Sequence, residues 1–332
     1  MIILAIESSC DETAVAIVRD KTDVLSTVVS SQIDVHSKYG GVVPEIASRM
    51  HIENITVVLE EALKRANISI QAVDAIAVTQ GPGLVGCLHV GVQAAKTLAW
   101  YYQKPLIPVH HLAGHIYANA LVDEIEYPLL ALVVSGGHTE LVYLSKEYDF
   151  KVLGSTQDDA IGEAFDKVAR VVGLPYPGGV AIDKLSKEGK PRYKLPTVKT
   201  DNPLDFSFSG IKSAVLQLRD RENKAGRELV IPDLAYAFQH NVIEQLISKV
   251  KLAIDLYHPK HVVLAGGVAA NSYLRQRMKE EFINRDDIKL TIPPLSCCTD
   301  NATMIAIAGN IAYMHGITAD LSIGADPGMD IC

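Results

Sequence analysis

With 332 residues, 48% of them hydrophobic and 21% charged, the chain has a globular composition that excludes a disordered tail, a collagen-like fibre and a coiled coil. Its length is that of roughly two domains, and its net charge of −8 argues against a wholly basic nucleic-acid coat while leaving room for a local basic patch. Residues 1–7 and 13–19 read as strands joined by the polar turn Ser8 to Glu12, and a third strand over 24–29 completes a meander. A helix over 51–66 places Ile52, Ile55, Val58, Leu59 and Leu63 on one face. Next come a strand over 75–79, a glycine-marked turn over 80–86 and a small-residue helix over 88–101. A strand over 106–109 then leads into a helix over 110–121. At Leu129 the pattern restarts: a strand over 129–134, the turn Ser135 to His138 and a strand over 139–144 resemble the opening around Glu7 to Val15. A long helix over 232–257, a strand over 261–265 and helices near 268–284 and 300–315 complete the chain. Strands followed by alternating strand–helix units, twice over, predict a duplicated α/β architecture with a cleft between its halves.

Five cysteines (Cys10, Cys87, Cys297, Cys298, Cys332) contain no C-x-x-C pair, which fits a reducing compartment rather than a disulfide framework or a thiolate zinc site. The opening MIILAIESSCDE lacks the cationic flank of a signal peptide, and no apolar run reaches the roughly 18 residues of a membrane span. A soluble, cytoplasmic protein is expected.

The most specific chemical signal is His111-Leu112-Ala113-Gly114-His115. On a helix this spacing stacks both imidazoles on one face, where they either share a metal ion or simply fill a helix end. A zinc protease needs glutamate after the first histidine, and Leu112 stands there. Asp300 is the best third ligand, or else the N-cap of the apolar helix that follows it. Three glycine turns, at Gly81–Gly86, Ser135–Thr139 and Ala265–Val268, follow apolar strands and suit close approach to a nucleotide, although none is a Walker A loop. Glu7, Asp11 and Glu12 put acids at a strand–strand turn, either solvated or placed to orient a water, a metal or an attacking amine. Asp166, Gly179 and Asp183 are candidates for clasping a ribose or an amino-acid head group, or belong to an ordinary helix and its exit loop. Residues 184–199 carry six cations against the single acid Glu188, a solvated surface or an RNA-phosphate contact.

Taken together, Glu7-Ser-Ser-Cys-Asp-Glu-Thr13, Gly40-Gly-Val-Val-Pro-Glu-Ile-Ala-Ser-Arg49, Gly81-Pro-Gly-Leu-Val-Gly86 and His110-His-Leu-Ala-Gly-His115 open a pattern that spans nearly the whole chain. Ser135-Gly-Gly-His-Thr139, Gly162-Glu-Ala-Phe-Asp-Lys167, Tyr176-Pro-Gly-Gly179, Asp205-Phe-Ser-Phe-Ser-Gly210, Ala265-Gly-Gly-Val268 and Thr299-Asp-Asn301 continue it. In order and spacing these resemble the bacterial Gcp/TsaD family of tRNA N6-adenosine threonylcarbamoyltransferases.

The resemblance implies an actin-like, sugar-kinase/Hsp70-type fold of two RNase H-like lobes around a central cleft. One lobe would span 1–126 with 303–332 packing back on it, the other 127–302. It implies transfer of a threonylcarbamoyl group from threonylcarbamoyl-AMP to the N6 of adenosine 37 in tRNAs reading codons that begin with adenine. By matching motif, His111, His115 and Asp300 would bind one divalent metal, Fe2+ or alternatively Zn2+. Val133, Val134, Ser135, Gly136, Gly137, Asp166, Gly179, Asp183 and Asn271 would line the adenylate site. Asp11 or Glu12 is expected to accept the amine proton. The family implies a TsaB-type paralogue and a TsaE-type ATPase as partners, with a YrdC-type synthase making the adenylate. A same-fold ATPase and a nucleotide-regulated scaffold are the alternatives, and residues 324–332 match no motif of the family.

Overall fold

Two five-stranded sheets organise the protein in a computed structural model that describes residues 1–331. In the first, β1 (Ile2–Glu7), β2 (Glu12–Arg19) and β3 (Asp23–Ser31) form the antiparallel meander, with Ile6 opposite Val15 and Val15 opposite Val28. After one helical turn, α1 (Ile33–His36), the chain enters α2 (Pro44–Ala66). This helix starts before the expected residue 51, because its first two turns are largely polar and carry no apolar period. β4 (Ala75–Gly81), α3 (Val85–Tyr102) and β5 (Leu106–His110) then extend the sheet in parallel beyond β1, in the order β3-β2-β1-β4-β5. The central strands are buried residue after residue, as strands covered on both faces must be. The short helix α4 (His111–Tyr117) follows β5 directly and tightens into a 3-10 turn over Ala118–Leu121.

The second sheet repeats the first strand for strand. β6 (Leu129–Val134), β7 (Thr139–Leu144) and β8 (Phe150–Ser155) form an antiparallel meander. Four helices follow: α5 (Ile161–Val171), α6 (Gly178–Ser186), α7 (Ser209–Lys224) and α8 (Ile231–Tyr257). β9 (His261–Ala265) then pairs parallel to β6, and α9 (Ser272–Phe282) leads to β10 (Lys289–Thr291), in the order β8-β7-β6-β9-β10. The Asp205-to-Gly210 motif is a helix start: the Asp158 carboxylate accepts the backbone N–H groups of Phe208 and Ser209 and both flanking serine hydroxyls.

Compact units comprise Met1–Glu124 with Pro293–Cys332, and Ile125–Ile292. The return to the first unit therefore comes at Pro293, before the expected 303, and Asp300 belongs with α4 rather than with the second sheet. The last helix, α10 (Ala302–Met314), is apolar around most of its circumference and packs on β1, β2 and β5 and on α4. Among the described residues, no helix is long and apolar enough to cross a membrane.

Candidate functional site

The sequence of α4 puts His111 and His115 one turn apart, with ring centroids 4.7 Å apart and edge-on. Gly114 lets α10 close on that helix, since a Cβ there would stand 2.8 Å from Ile305 Cδ1. The N-cap of α10 is Asn301, whose side chain accepts the Met304 N–H at 3.0 Å. Asp300 is therefore not the cap, and its carboxylate faces α4 instead. Its Oδ1 lies 3.0 Å from His115 Nε2 and 3.4 Å from His111 Nε2, and all three ligand atoms fall within 4.8 Å of one another.

This donor set fits a divalent cation. Metal–ligand bonds of about 2.0–2.2 Å place neighbouring ligand atoms about 3.0–3.5 Å apart, which is the spacing found from Asp300 to each imidazole. Two imidazoles and one carboxylate on one side of an ion suit Fe2+ with open positions, and also suit Zn2+. Glu7, fully buried at the end of β1, holds the other nitrogen of His111 at 3.0 Å. The Thr79 hydroxyl and the Ser9 N–H fix Glu7 in turn. A carboxylate on the far side of a ligating imidazole sets its tautomer and orientation. The corresponding nitrogen of His115, Nδ1, is buried without a hydrogen-bond partner among the described residues, so packing and the Nε2 contact to Asp300 orient that ring.

The charges interlock. Burial opposes a charge on His111, but Asp300 and Glu7 on either side outweigh it and raise its pKa well above the ordinary range. Burial likewise tends to raise Glu7 and Asp300, and the imidazoles outweigh it, so both carboxyls are held below their usual range. A cation bound here would have to displace the His111 proton, and its affinity would then rise with pH.

The β1–β2 turn sets Asp11 beside Glu12 and brings Cys10 and Glu12 into the field of Asp300. Burial first, then the Asp300 and Asp11 carboxylates, push the Glu12 carboxyl up to about 9. The same surroundings push the Cys10 thiol well above its usual range, which disqualifies it as a nucleophile at neutral pH. His51 on α2 clamps this turn: its Nδ1 accepts from the Thr13 hydroxyl at 2.7 Å and its Nε2–H donates to the Cys10 carbonyl at 3.0 Å. Sequence reasoning assigned no role to His51 and none beyond the acidic turn to Glu7. The available signal was a lone acid closing an otherwise apolar strand.

The remaining candidates lie in the second unit, in two groups. Val133 and Val134 end β6, and the Ser135-Gly136-Gly137-His138 turn begins there, with the Ser135 carbonyl accepting the Gly162 N–H at 3.1 Å. A Cβ on Gly136 or Gly137 would meet nothing within 4 Å. On α5, Asp166 accepts the Gly178 N–H at 2.7 Å at the start of α6, next to Gly179. Asp183, on α6 rather than in an exit loop, accepts from the Ser272 hydroxyl at 2.8 Å. Asn271 caps α9 through Leu274 N–H and donates to Gln239. Asp183 and Asn271 thus meet at the start of α9. In the basic segment, Arg192 is committed to buried Asp233 at 2.9 Å, and Lys187 leans toward Asp183. Lys184, Lys194 and Lys199 are exposed without an ion-pair partner among the described residues.

A duplicated α/β fold with a largely buried His-His-Asp cluster defines the class: a protein of actin-like fold carrying a candidate metal centre. Full-length HypF in a phosphate- and nucleotide-bound form superposes with a TM-score of 0.62 at 15% identity, over 95% of this chain and 46% of that one. Component A of (R)-2-hydroxyglutaryl-CoA dehydratase from Acidaminococcus fermentans gives 0.55 at 13% identity, over 94% and 99%. The family described as TsaD, tRNA N6-adenosine threonylcarbamoyltransferase, matches residues 23–307. Relatives of that name include one from Bacillus thuringiensis (strain Al Hakam), 57% identical over 99% of this chain and 96% of its own. Another, from Bacillus subtilis (strain 168), is 53% identical over 100% and 96%. The chain belongs to the tRNA N6-adenosine threonylcarbamoyltransferase family.

Proposed function

We propose that the protein transfers the threonylcarbamoyl group of threonylcarbamoyl-AMP to N6 of adenosine 37 in tRNAs reading codons that begin with adenine. The observation that carries this reading is the convergence of His111, His115 and Asp300, backed by Glu7, in a chain related to named transferases over its whole length. The amine nitrogen attacks the carbamoyl carbon, the bond from that carbon to the phosphate oxygen breaks, AMP departs and N6 loses a proton. AMP is already a good leaving group, so no covalent nucleophile is needed, in keeping with the raised Cys10 thiol.

His111, His115 and Asp300 would hold one divalent ion, Fe2+ or alternatively Zn2+, which when bound supplies Lewis acidity toward a carbonyl oxygen. Glu7 orients His111 for that role. Glu12, or Asp11 beside it, accepts the amine proton directly or through water. The Val133–Gly137 strand end and turn, with Asp166, Gly179, Asp183 and Asn271, would receive the AMP portion. A TsaB-type paralogue and a TsaE-type ATPase would act with it in the cytoplasm. The family assignment does not favour a same-fold ATPase or a scaffold.

The test is nucleoside mass spectrometry on unmodified tRNA incubated with the protein, its two partners, a YrdC-type synthase, ATP, threonine and bicarbonate. A threonylcarbamoyladenosine peak that disappears when only this protein is omitted supports the reading. No peak, with the partners active beside a known transferase, overturns it.

The basic segment offers a contact to tRNA phosphates. Charge reversal at Lys184, Lys194 and Lys199 is expected to weaken tRNA binding and lower its salt dependence by about one phosphate contact per residue. Arg192 is unsuitable for that experiment, because its loss strands the buried Asp233 carboxylate. Unchanged binding at 50 and about 200 mM salt would remove the segment from the tRNA interface.

A further inference from the structure

The chain's last stretch, beyond the residues 23–307 matched by the family model, lies across the end of β4 and the turn after it and reaches His110, the residue before the first candidate metal ligand. Asp326 N–H donates to the Gln80 carbonyl at 2.9 Å, and Gly83 N–H donates to the Pro327 carbonyl at 3.2 Å. Gln80 Nε2 reaches back to the Gly324 carbonyl at 3.2 Å. The fit is close: a Cβ on Gly81 would stand 1.8 Å from the Asp326 carbonyl oxygen. Beyond this clasp, the Met329 carbonyl meets His110 Nε2 at 3.0 Å.

His110 is the N-cap of α4, and its Nδ1 accepts the Leu112 N–H at 3.1 Å. An Nδ1 that accepts leaves Nε2 carrying the proton, so the imidazole donates to the tail with one nitrogen while capping the metal helix with the other. We propose that His110 is a positioning residue for the His111–His115–Asp300 centre, and that residues 326–330 are the strap that holds it in place. A seven-residue helix has little stability of its own, so the direction in which it presents His111 is set by what fixes its ends. Asp300 and α10 hold one side, and the strap holds the start. This inference rests on the metal reading of the cluster.

The experiment compares three proteins against the full chain: a truncation after Ala325, which keeps that half-buried residue in the core, His110→Asn, and the two combined. Asparagine places its Oδ1 where Nδ1 stands and can still cap α4, but it is too short to reach Met329. Fe2+ affinity is measured anaerobically by competition with a chelator, and hydrogen exchange is followed at the amides of α4. We expect each change to weaken Fe2+ binding about tenfold. The combination should be no weaker than either alone, because both cut one contact. KM for tRNA should hold while kcat falls, and α4 amides should exchange faster in both variants. Wild-type Fe2+ affinity and exchange in the truncated chain, or losses that multiply in the combination, would overturn the strap. Should the truncated chain fail to fold, His110→Asn alone decides on the same two readouts. If His111→Ala leaves Fe2+ binding unchanged, the metal reading fails, and exchange at α4, which needs no metal, still decides whether the strap holds the helix.

Discussion

Replacing His111 with alanine is expected to lower threonylcarbamoyl transfer by about three orders of magnitude, the several kcal/mol that a Lewis acid contributes to such a transition state. His111 is the residue on which the cluster turns, lying between the Glu7 carboxylate at 3.0 Å and Asp300 at 3.4 Å. Its removal takes away one ligand and also leaves Glu7 buried without its counter-charge. The cation-free variant should therefore melt earlier, while its circular dichroism at 25 °C stays that of the parent. Glu7→Gln provides the graded comparison: the ligand remains but its orienting carboxylate is gone, and metal affinity and transfer should both drop about 10- to 100-fold. Metal content, transfer and circular dichroism measured on the same samples check both. An active, metal-free His111→Ala protein would end the metal assignment.

Glu12→Gln should move activity and stability in opposite directions. Below about pH 4.5 the Glu12 carboxyl holds its proton in folded and unfolded chains alike. Between that value and about 9 only the folded chain holds it, so the residue lowers stability progressively as pH rises through this window. Glutamine carries no such penalty. The cation-free variant should gain about 2 kcal/mol at pH 8, allowing for the partial exposure of the site, and little at pH 4. An amide cannot take a proton from the attacking amine, so transfer should fall about 10²- to 10⁴-fold. Charge neutralised at Asp300 relieves part of what raises Glu12, so transfer in the wild type should rise with pH as this carboxyl ionises. Melting curves at both pH values, with single-turnover transfer alongside, test the assignment. Parallel melting of the two proteins from pH 4 to 8 would refute it.

Much of this was legible in the residues. The strands β1, β2, β6, β7 and β9 announce themselves as apolar runs bounded by turn residues, and their double occurrence already implies the duplicated fold. The imidazole pair was readable from helical spacing alone. Other parts were not. β8 is an edge strand with an exposed face and β10 is three residues long, so neither carries enough apolar period to be seen. Buried Ile211, Val215 and Leu218 do keep the helical period of α7, a signal that the surrounding charges obscured. The choice between Asp300 as cap and Asp300 as ligand turned on its neighbour. Either residue of Asp300-Asn301 is a good cap, and only the folded contacts, Asn301 to the Met304 N–H and Asp300 to both imidazoles, show which one faces the histidines. Glu7 and His51 act across 104 and 41 residues of chain, contacts that no local pattern encodes.

The separation of His115 from Asp300 by 185 residues has a consequence for biosynthesis. At about 5–20 residues per second, a ribosome needs roughly ten to forty seconds between them, and in that time it makes the whole second unit. During this interval the nascent first sheet can present Glu7 and both imidazoles but no third donor. The set would close only once Pro293 onward has emerged and α10 has docked, so on the metal reading a ribosome that stalls before residue 300 would leave a chain without its third donor. On that reading, loading would wait for synthesis of the segment that carries Asp300.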